Sequence, residues 1–248
     1  MLVALIVATI QLISIYSSYQ KSARAYEALN QATLFTPAPA SSSGQSTSTA
    51  APLAEQLTAP ITVDWETLQK QNIEIIAWLY CADTPINYPV AQCDNNDYYL
   101  THNASKDEDE SGSLFLDCRN YLSTGMQNLI IYGHRRNDLS MFGSLVRFAK
   151  KDYRDQHPTL FLLTPDQNYM IELFACRTIR GADKYFFTQF DSEHDYLAYI
   201  DKAISQSYWN SGIDLDANDT IITLATCSRY HGVDDAHLLL HGYVTPIS

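Results

Sequence analysis

The chain has 248 residues, and its 46% hydrophobic content is enough to bury the core of one large domain or two small ones. Its 28 acidic residues outnumber its 16 basic residues and give a net charge of −12. This balance argues against a nucleic-acid-binding surface, because such surfaces gather lysine and arginine on one face.

The N-terminal segment Leu2–Tyr16 contains no charged residue. With the three residues that follow, it approaches the roughly 17 to 20 residues that span a bilayer. No small-residue cleavage site follows it, which disfavours a removed signal peptide. We therefore predict a transmembrane anchor over residues 1–19, with a removed signal peptide and a buried core helix as the alternatives.

Residues 20–60 are predicted to form a juxtamembrane segment followed by a linker. From Thr36 to Pro60 the chain consists mainly of proline, alanine, serine and threonine. Such a segment cannot bury enough apolar surface to fold. The remaining residues, 61–248, are predicted to form one domain.

The domain begins with a short helix after Asp64, a plausible N-cap. Two longer helical stretches are predicted at residues 140–156 and 191–207, the second capped by Asp191 or Ser192. Eight short runs rich in β-branched and aromatic residues predict strands: IIAWLYC, INYPVAQ, GSLFLD, NLIIYGH, PTLFLLT, YMIELFACRTI, TIITLATC and HLLLHGYV. Eight close strands with few helices predict a mostly β domain, a mostly antiparallel barrel or sandwich and not a doubly wound sheet.

The five cysteines carry no metal-ligand spacing such as C-x-x-C, so we expect no metal site. Cys81 and Cys176 lie within apolar strand patterns and are expected to be buried and inert. Cys93 and Cys118 lie at strand ends, and a disulfide among these four cysteines stays open. An odd number of cysteines leaves at least one free thiol or an intermolecular bond.

Cys227 differs from the others because it ends an apolar strand and is followed by a polar loop. A cysteine nucleophile needs a base or a cationic neighbour, and histidine can serve as either. The best candidate is His134, which also stands where an apolar strand stops, directly after Gly133. We expect two strands to deliver Cys227 and His134 to one rim of a barrel, with a packed cysteine and a surface histidine as the alternative.

These segments together resemble the class B sortases, the membrane-anchored cysteine transpeptidases of Gram-positive surfaces. Thr223–Cys227, TLATC, resembles the TLxTC signature of sortases, and Ile130–Leu145 resembles the class B histidine motif. The likeness extends from about Val63 to Val244 in order and spacing. It implies an eight-stranded sortase-type β-barrel with an N-terminal helix and class B helical insertions. It also implies a single-pass cell-membrane protein whose catalytic domain is extracellular.

The resemblance implies that Cys227 is the nucleophile and His134 the general acid and base, without a cofactor. The implied partners are surface proteins that carry a C-terminal sorting motif and a peptidoglycan precursor or pilin amine as acceptor. The membrane is a further partner through the anchor, and no nucleic acid is expected.

The third family residue is an arginine ten positions after the cysteine in many class B members, and here that position is His237. Histidine is often neutral at pH 7 and lacks the forked donor array of arginine. Either His237 serves as a weaker donor, or Arg229 reaches back into the site. Thr226 and Ser228 are candidate substrate-binding residues, although Thr226 could simply pack. The departure at His237 leaves two alternatives to a working transpeptidase: a catalytically impaired sortase-like binding protein and a hydrolytic cysteine protease.

Overall fold

The fold was obtained as a computed structural model that describes residues 2–32, 58–122, 125–181, 186–227 and 236–247. The strands in these ranges are β1 (Ile75–Tyr80), β2 (Asn87–Ala91), β3 (Leu114–Leu116), β4 (Asn128–His134), β5 (Thr159–Leu163), β6 (Asn168–Arg180), β7 (Ile221–Cys227) and β8 (Ala236–Ile247).

The eight described strands close into a barrel in the order β1-β2-β3-β4-β7-β8-β6-β5. This confirms the predicted barrel over the sandwich. Most neighbours are antiparallel, but β2 pairs with β3 and β4 pairs with β7 in parallel. The β4–β7 pair matters for function, because parallel neighbours bring their carboxyl ends to the same edge of a sheet.

Alternation along the strands separates the barrel interior from its outer surface. Leu129 and Ile131 of β4 pack into the main core together with Ile222 and Leu224 of β7. The intervening residues face the other side of the sheet. There, four buried side chains form an apolar cluster that we call the outer patch: Ile130, Ile179, Ala225 and Leu239.

The helices among the described residues are α1 (Leu2–Ala32), α2 (Trp65–Gln71), α3 (Lys151–Gln156) and α4 (Glu193–Ser205), with 3-10 helices at Tyr98–Leu100 and Phe142–Ala149. Asp64 caps α2 as predicted, accepting a hydrogen bond of 3.0 Å from the Thr67 N–H. Ser192 caps α4 and accepts from the Asp195 N–H at 3.1 Å. The predicted helix over 140–156 is instead split, because Lys150 adopts an extended conformation with φ −91° and ψ 125°.

The C-terminal half of α1 packs against the barrel. The Ser22 hydroxyl donates to the buried Asp109 carboxylate at 2.7 Å, and the Tyr26 hydroxyl donates to the Gly112 carbonyl at 2.8 Å. Leu29 is 3% exposed. Residues predicted to be juxtamembrane therefore belong to a helix that contacts the domain, while most of the predicted linker, 33–57, lies outside the described residues.

The predicted membrane anchor is not supported by this fold. Within the part of the chain that the structure describes, no helix combines the length and apolar character needed to cross a bilayer. The predicted single-pass membrane anchor over residues 1–19 is therefore wrong.

Candidate active site

Cys227 and His134 are brought together by the parallel pairing of β4 with β7. Seven consecutive residue pairs form the ladder, from Asn128 opposite Ile221 to His134 opposite Cys227. Both residues end their strands, so the backbones of positions 134 and 227 lie side by side at one edge of the barrel. This is the juxtaposition that the sequence predicted, and it rests on backbone register.

The His134 ring is held by the 3-10 helix Tyr98–Leu100. Its Nε2 lies 2.7 Å from the Leu100 carbonyl oxygen. A carbonyl oxygen can only accept a hydrogen bond, so Nε2 carries the proton. In the neutral ring Nδ1 is then the basic atom, and the Leu100 carbonyl fixes which nitrogen can take a proton.

Gly133 lets β4 approach its neighbours closely just before His134. A Cβ at position 133 would overlap the Leu114 side chain and lie 2.8 Å from Cγ of Phe142. Real Cβ atoms do not approach other heavy atoms so closely, so a larger residue would push β4 outward. The glycine thus helps to set the position of His134.

His237 lies beside the same edge, on β8. Its Nδ1 is 2.6 Å from the carbonyl oxygen of Thr226, the residue that precedes Cys227. Nδ1 therefore donates this hydrogen bond, and Nε2 of the neutral ring is an acceptor. His237 can offer a second N–H to a developing oxyanion only when the ring is protonated. This differs from an arginine at the same position, which would donate at every physiological pH.

Thr226 is 1% exposed, and its hydroxyl oxygen accepts from the Leu238 N–H at 2.9 Å. This geometry agrees with the packing alternative for its side chain, while its carbonyl holds His237. Ser228 and Arg229 lie outside the described residues, as do the side-chain contacts of Cys227.

The sequence did not single out a polar and aromatic cluster that lies next to the outer patch. Asp117, at the end of β3, is bound by Arg119 and by the Tyr132 hydroxyl. Tyr132 and Phe186 pack on the outer patch, and the Phe186 ring contacts His237 with 5.6 Å between ring centroids. The one available signal was the alternation in NLIIYGH, which places Tyr132 on the same face of β4 as His134.

The four cysteines other than Cys227, namely Cys81, Cys93, Cys118 and Cys176, are all free thiols, so none of the disulfides left open by the sequence is formed. Cys81 and Cys176 are buried, as predicted. Burial raises the pKa of the Cys81 thiol to about 11 and raises the pKa of Cys176 as well. Among the described residues no group of three or more histidine, cysteine, aspartate or glutamate side chains is arranged to hold a metal ion.

Comparison with known proteins identifies relatives in sequence and in structure. No protein-family model matches the sequence. The chain is 36% identical over 175 residues to sortase B of Listeria monocytogenes, covering 71% of this chain and 71% of that protein. Among solved structures, sortase B from B. anthracis superposes with a TM-score of 0.75 at 27% identity, covering 93% of this chain and 99% of that one. A Staphylococcus aureus sortase B-substrate complex gives a TM-score of 0.70 at 28% identity, covering 74% and 85%.

Proposed function

The chain belongs to the class B sortases and is a sortase-type cysteine transpeptidase; we propose that Cys227 and His134 carry its reaction. The observation that supports this assignment is the β4–β7 register, which sets His134 opposite Cys227. The acyl donor in this proposal is a protein with a C-terminal sorting motif. The acceptor is an amine of a cell-wall precursor or of a pilin.

In the first half-reaction the Cys227 thiolate attacks the carbonyl carbon of the scissile peptide bond. The C–N bond breaks, and His134 gives a proton to the departing amine. The product is a thioester on Cys227. In the second half-reaction the incoming amine attacks this thioester, His134 takes the proton from the amine, and the Cys227 thiolate leaves.

The tetrahedral intermediates of both steps carry an oxyanion that needs donors. Loss of one such donor costs roughly 10² to 10³ in rate in other enzymes. His237, held by the Thr226 carbonyl, is the proposed donor in its protonated form, with Arg229 as the alternative. Because Thr226 and Cys227 are adjacent, this hydrogen bond keeps the His237 ring near the backbone that carries Cys227.

The decisive experiment incubates the full chain with a panel of sorting-motif peptides, with and without triglycine as the amine acceptor. Mass spectrometry should detect a thioacyl adduct on Cys227, and the peptide–triglycine amide should form only when the amine is present. Cys227→Ala is the matched control and should give neither species. Absence of an adduct across a broad panel, with a folded protein, would overturn the assignment in favour of a binding protein.

The second candidate function is that of a hydrolytic cysteine protease. The presence of histidine at position 237 is the feature that favours it. A slowly resolved thioester gives water more time to compete with the amine. The same experiment separates the two, since a hydrolase would release the free acid of the donor peptide even with triglycine present. A mixture dominated by the amide supports the transpeptidase.

A further inference from the structure

A buried carboxylate with three side-chain hydrogen bonds stands at the end of β3. The Asp117 side chain is fully buried. Arg119 binds it with both arms of its guanidinium, Nε at 2.8 Å and Nη2 at 2.7 Å, and the Tyr132 hydroxyl donates to it at 2.9 Å. Burial alone would raise the pKa of Asp117, but the Arg119 and Tyr132 hydrogen bonds outweigh it and lower the pKa, so the carboxylate stays ionised.

Arg119 also binds a second element. Its Nη2 donates to the Phe186 carbonyl oxygen at 3.1 Å, and Phe186 belongs to the segment that leads into α4. One guanidinium therefore joins the end of β3, the Tyr132 side chain of β4 through Asp117, and the backbone at Phe186. Such a planar, forked contact fixes the orientation of the bound groups as well as their distance from the guanidinium.

The two aromatic rings held in this way lie between the outer patch and the candidate active site. Tyr132 and Phe186 meet edge to face with their centroids 5.3 Å apart, and Phe186 meets His237 edge to face at 5.6 Å. Tyr132 is two residues before His134 on the same strand. Both rings therefore lie beside the edge where β4 and β7 end.

We propose that Arg119 is a positioning residue for the acyl-donor site: through Asp117 and the Phe186 carbonyl it fixes the Tyr132 and Phe186 rings against which the donor peptide binds. This inference rests on the proposed function. Arg119 itself stays on the solvent side, with 53% of its side chain exposed, and takes no part in the chemical steps. Rings that contact the donor alike in the ground state and the transition state change KM and leave kcat unaltered.

The test compares Arg119→Lys with wild type in steady-state kinetics, using whichever panel peptide forms the adduct on Cys227. Lysine keeps the charge but lacks the planar fork that binds Asp117 through two nitrogens. We expect KM to rise about tenfold while kcat stays within about twofold. Tyr132→Phe keeps the ring and removes the hydroxyl that donates to Asp117, and should raise KM by about threefold.

A second measurement uses no donor peptide. It therefore tests the proposal even if no sorting-motif peptide forms an adduct on Cys227. Alkylation of Cys227 by iodoacetamide measures the thiolate, whereas N-benzyliodoacetamide adds an aromatic tail that must find the two rings. In Arg119→Lys the ratio of the benzyl rate to the iodoacetamide rate should fall about threefold, with the iodoacetamide rate unchanged. A role in folding alone would shift both rates together.

The matched control is Arg154→Lys, because Arg154 also pairs with an acid, Asp155, and stacks on Trp209 away from the β4–β7 edge. It should leave KM and the rate ratio as in wild type. The proposal is overturned if Arg119→Lys and Tyr132→Phe leave both KM and the rate ratio unchanged, or if kcat and the iodoacetamide rate fall in step with them. Failure of the proposed function looks different, since wild type itself would then form no adduct.

Discussion

At the scale of single residues, His237 is the proposed hydrogen-bond donor to the oxyanion. Its Nδ1 is committed to the Thr226 carbonyl, so its remaining nitrogen donates only in the protonated ring. We therefore expect histidine to hold an oxyanion less well than an arginine at position 237, whose guanidinium has several N–H donors and keeps its charge.

The corresponding variant is His237→Arg, assayed for kcat at about pH 7.5. Its kcat should exceed that of wild type by about tenfold. Such a gain identifies His237 as a weaker substitute for arginine. A variant slower than wild type would instead show that the surrounding residues have adapted to histidine.

A second residue-scale prediction concerns the five thiols. With the pKa of Cys81 raised to about 11 by burial, only about one thiol in a thousand is ionised at pH 8. Cys176 is shielded in the same way. Iodoacetamide at pH 8 should therefore modify Cys227 in the native protein well before Cys81 or Cys176, as read by peptide mass spectrometry. Guanidinium-denatured protein is the control and should be modified at all five positions.

At the scale of elements, β4 has to pass close to β3 and to the 3-10 helix that starts at Phe142. Gly133→Ala should lower the free energy of unfolding by about 1 to 3 kcal/mol through overpacking. It should also lower kcat/KM by about tenfold or more, because displacement of His134 misaligns its Nδ1. Thermal unfolding and steady-state kinetics measure the two effects.

Gly212→Ala serves as the control for this glycine. Its φ of +73° makes alanine strained there, but nothing lies within 4 Å of the added Cβ. We expect a stability loss of about 1 kcal/mol with kcat/KM unchanged. A fully active Gly133→Ala would contradict the role assigned to Gly133.

The β4 and β7 strands could be read from the sequence, whereas the elements around them could be read only in part. NLIIYGH and TIITLATC show the alternating or continuously apolar pattern of strands, and polar turns follow both. The residue pattern and the position of the turns therefore predict the same two strands. The break at Lys150 left no such signal, because the apolar residues on both sides still fit a helical period. The contacts of Arg119 could not be predicted from the sequence either, because its partners Asp117, Tyr132 and Phe186 meet only after three elements have packed.

At the scale of the whole molecule, a buried histidine makes stability depend on pH. His241 is fully buried on β8, beside the Arg177 guanidinium, the Tyr199 ring and the Thr223 hydroxyl. Burial, and then the nearby Arg177 charge, hold its pKa well below the ordinary value. Below about pH 6.5 the unfolded chain binds a proton that the folded chain refuses, so the free energy of unfolding falls as the pH falls.

Thermal unfolding between pH 7.5 and pH 5 checks this. The loss should approach about 1.4 kcal/mol per pH unit at the acid end, and His241→Gln should make the dependence shallower. His194→Gln, at an exposed position in the first turn of α4, is the control and should follow wild type. Asp117 does not add to the change in the free energy of unfolding between pH 7.5 and pH 5, because its lowered pKa places its own contribution at more acid pH.

The order of strands in the barrel also has a consequence for how the enzyme is made. β7 and β8 are the last described strands in the chain, yet they insert between β4 and β6. A growing polypeptide that has already emerged through β6 therefore carries His134 but lacks the strand that pairs with β4 at this edge. The proposed reactive pair cannot exist before β7 has been synthesised and inserted. If Cys227 and His134 act as proposed, the appearance of thioester-forming activity would report barrel closure during synthesis.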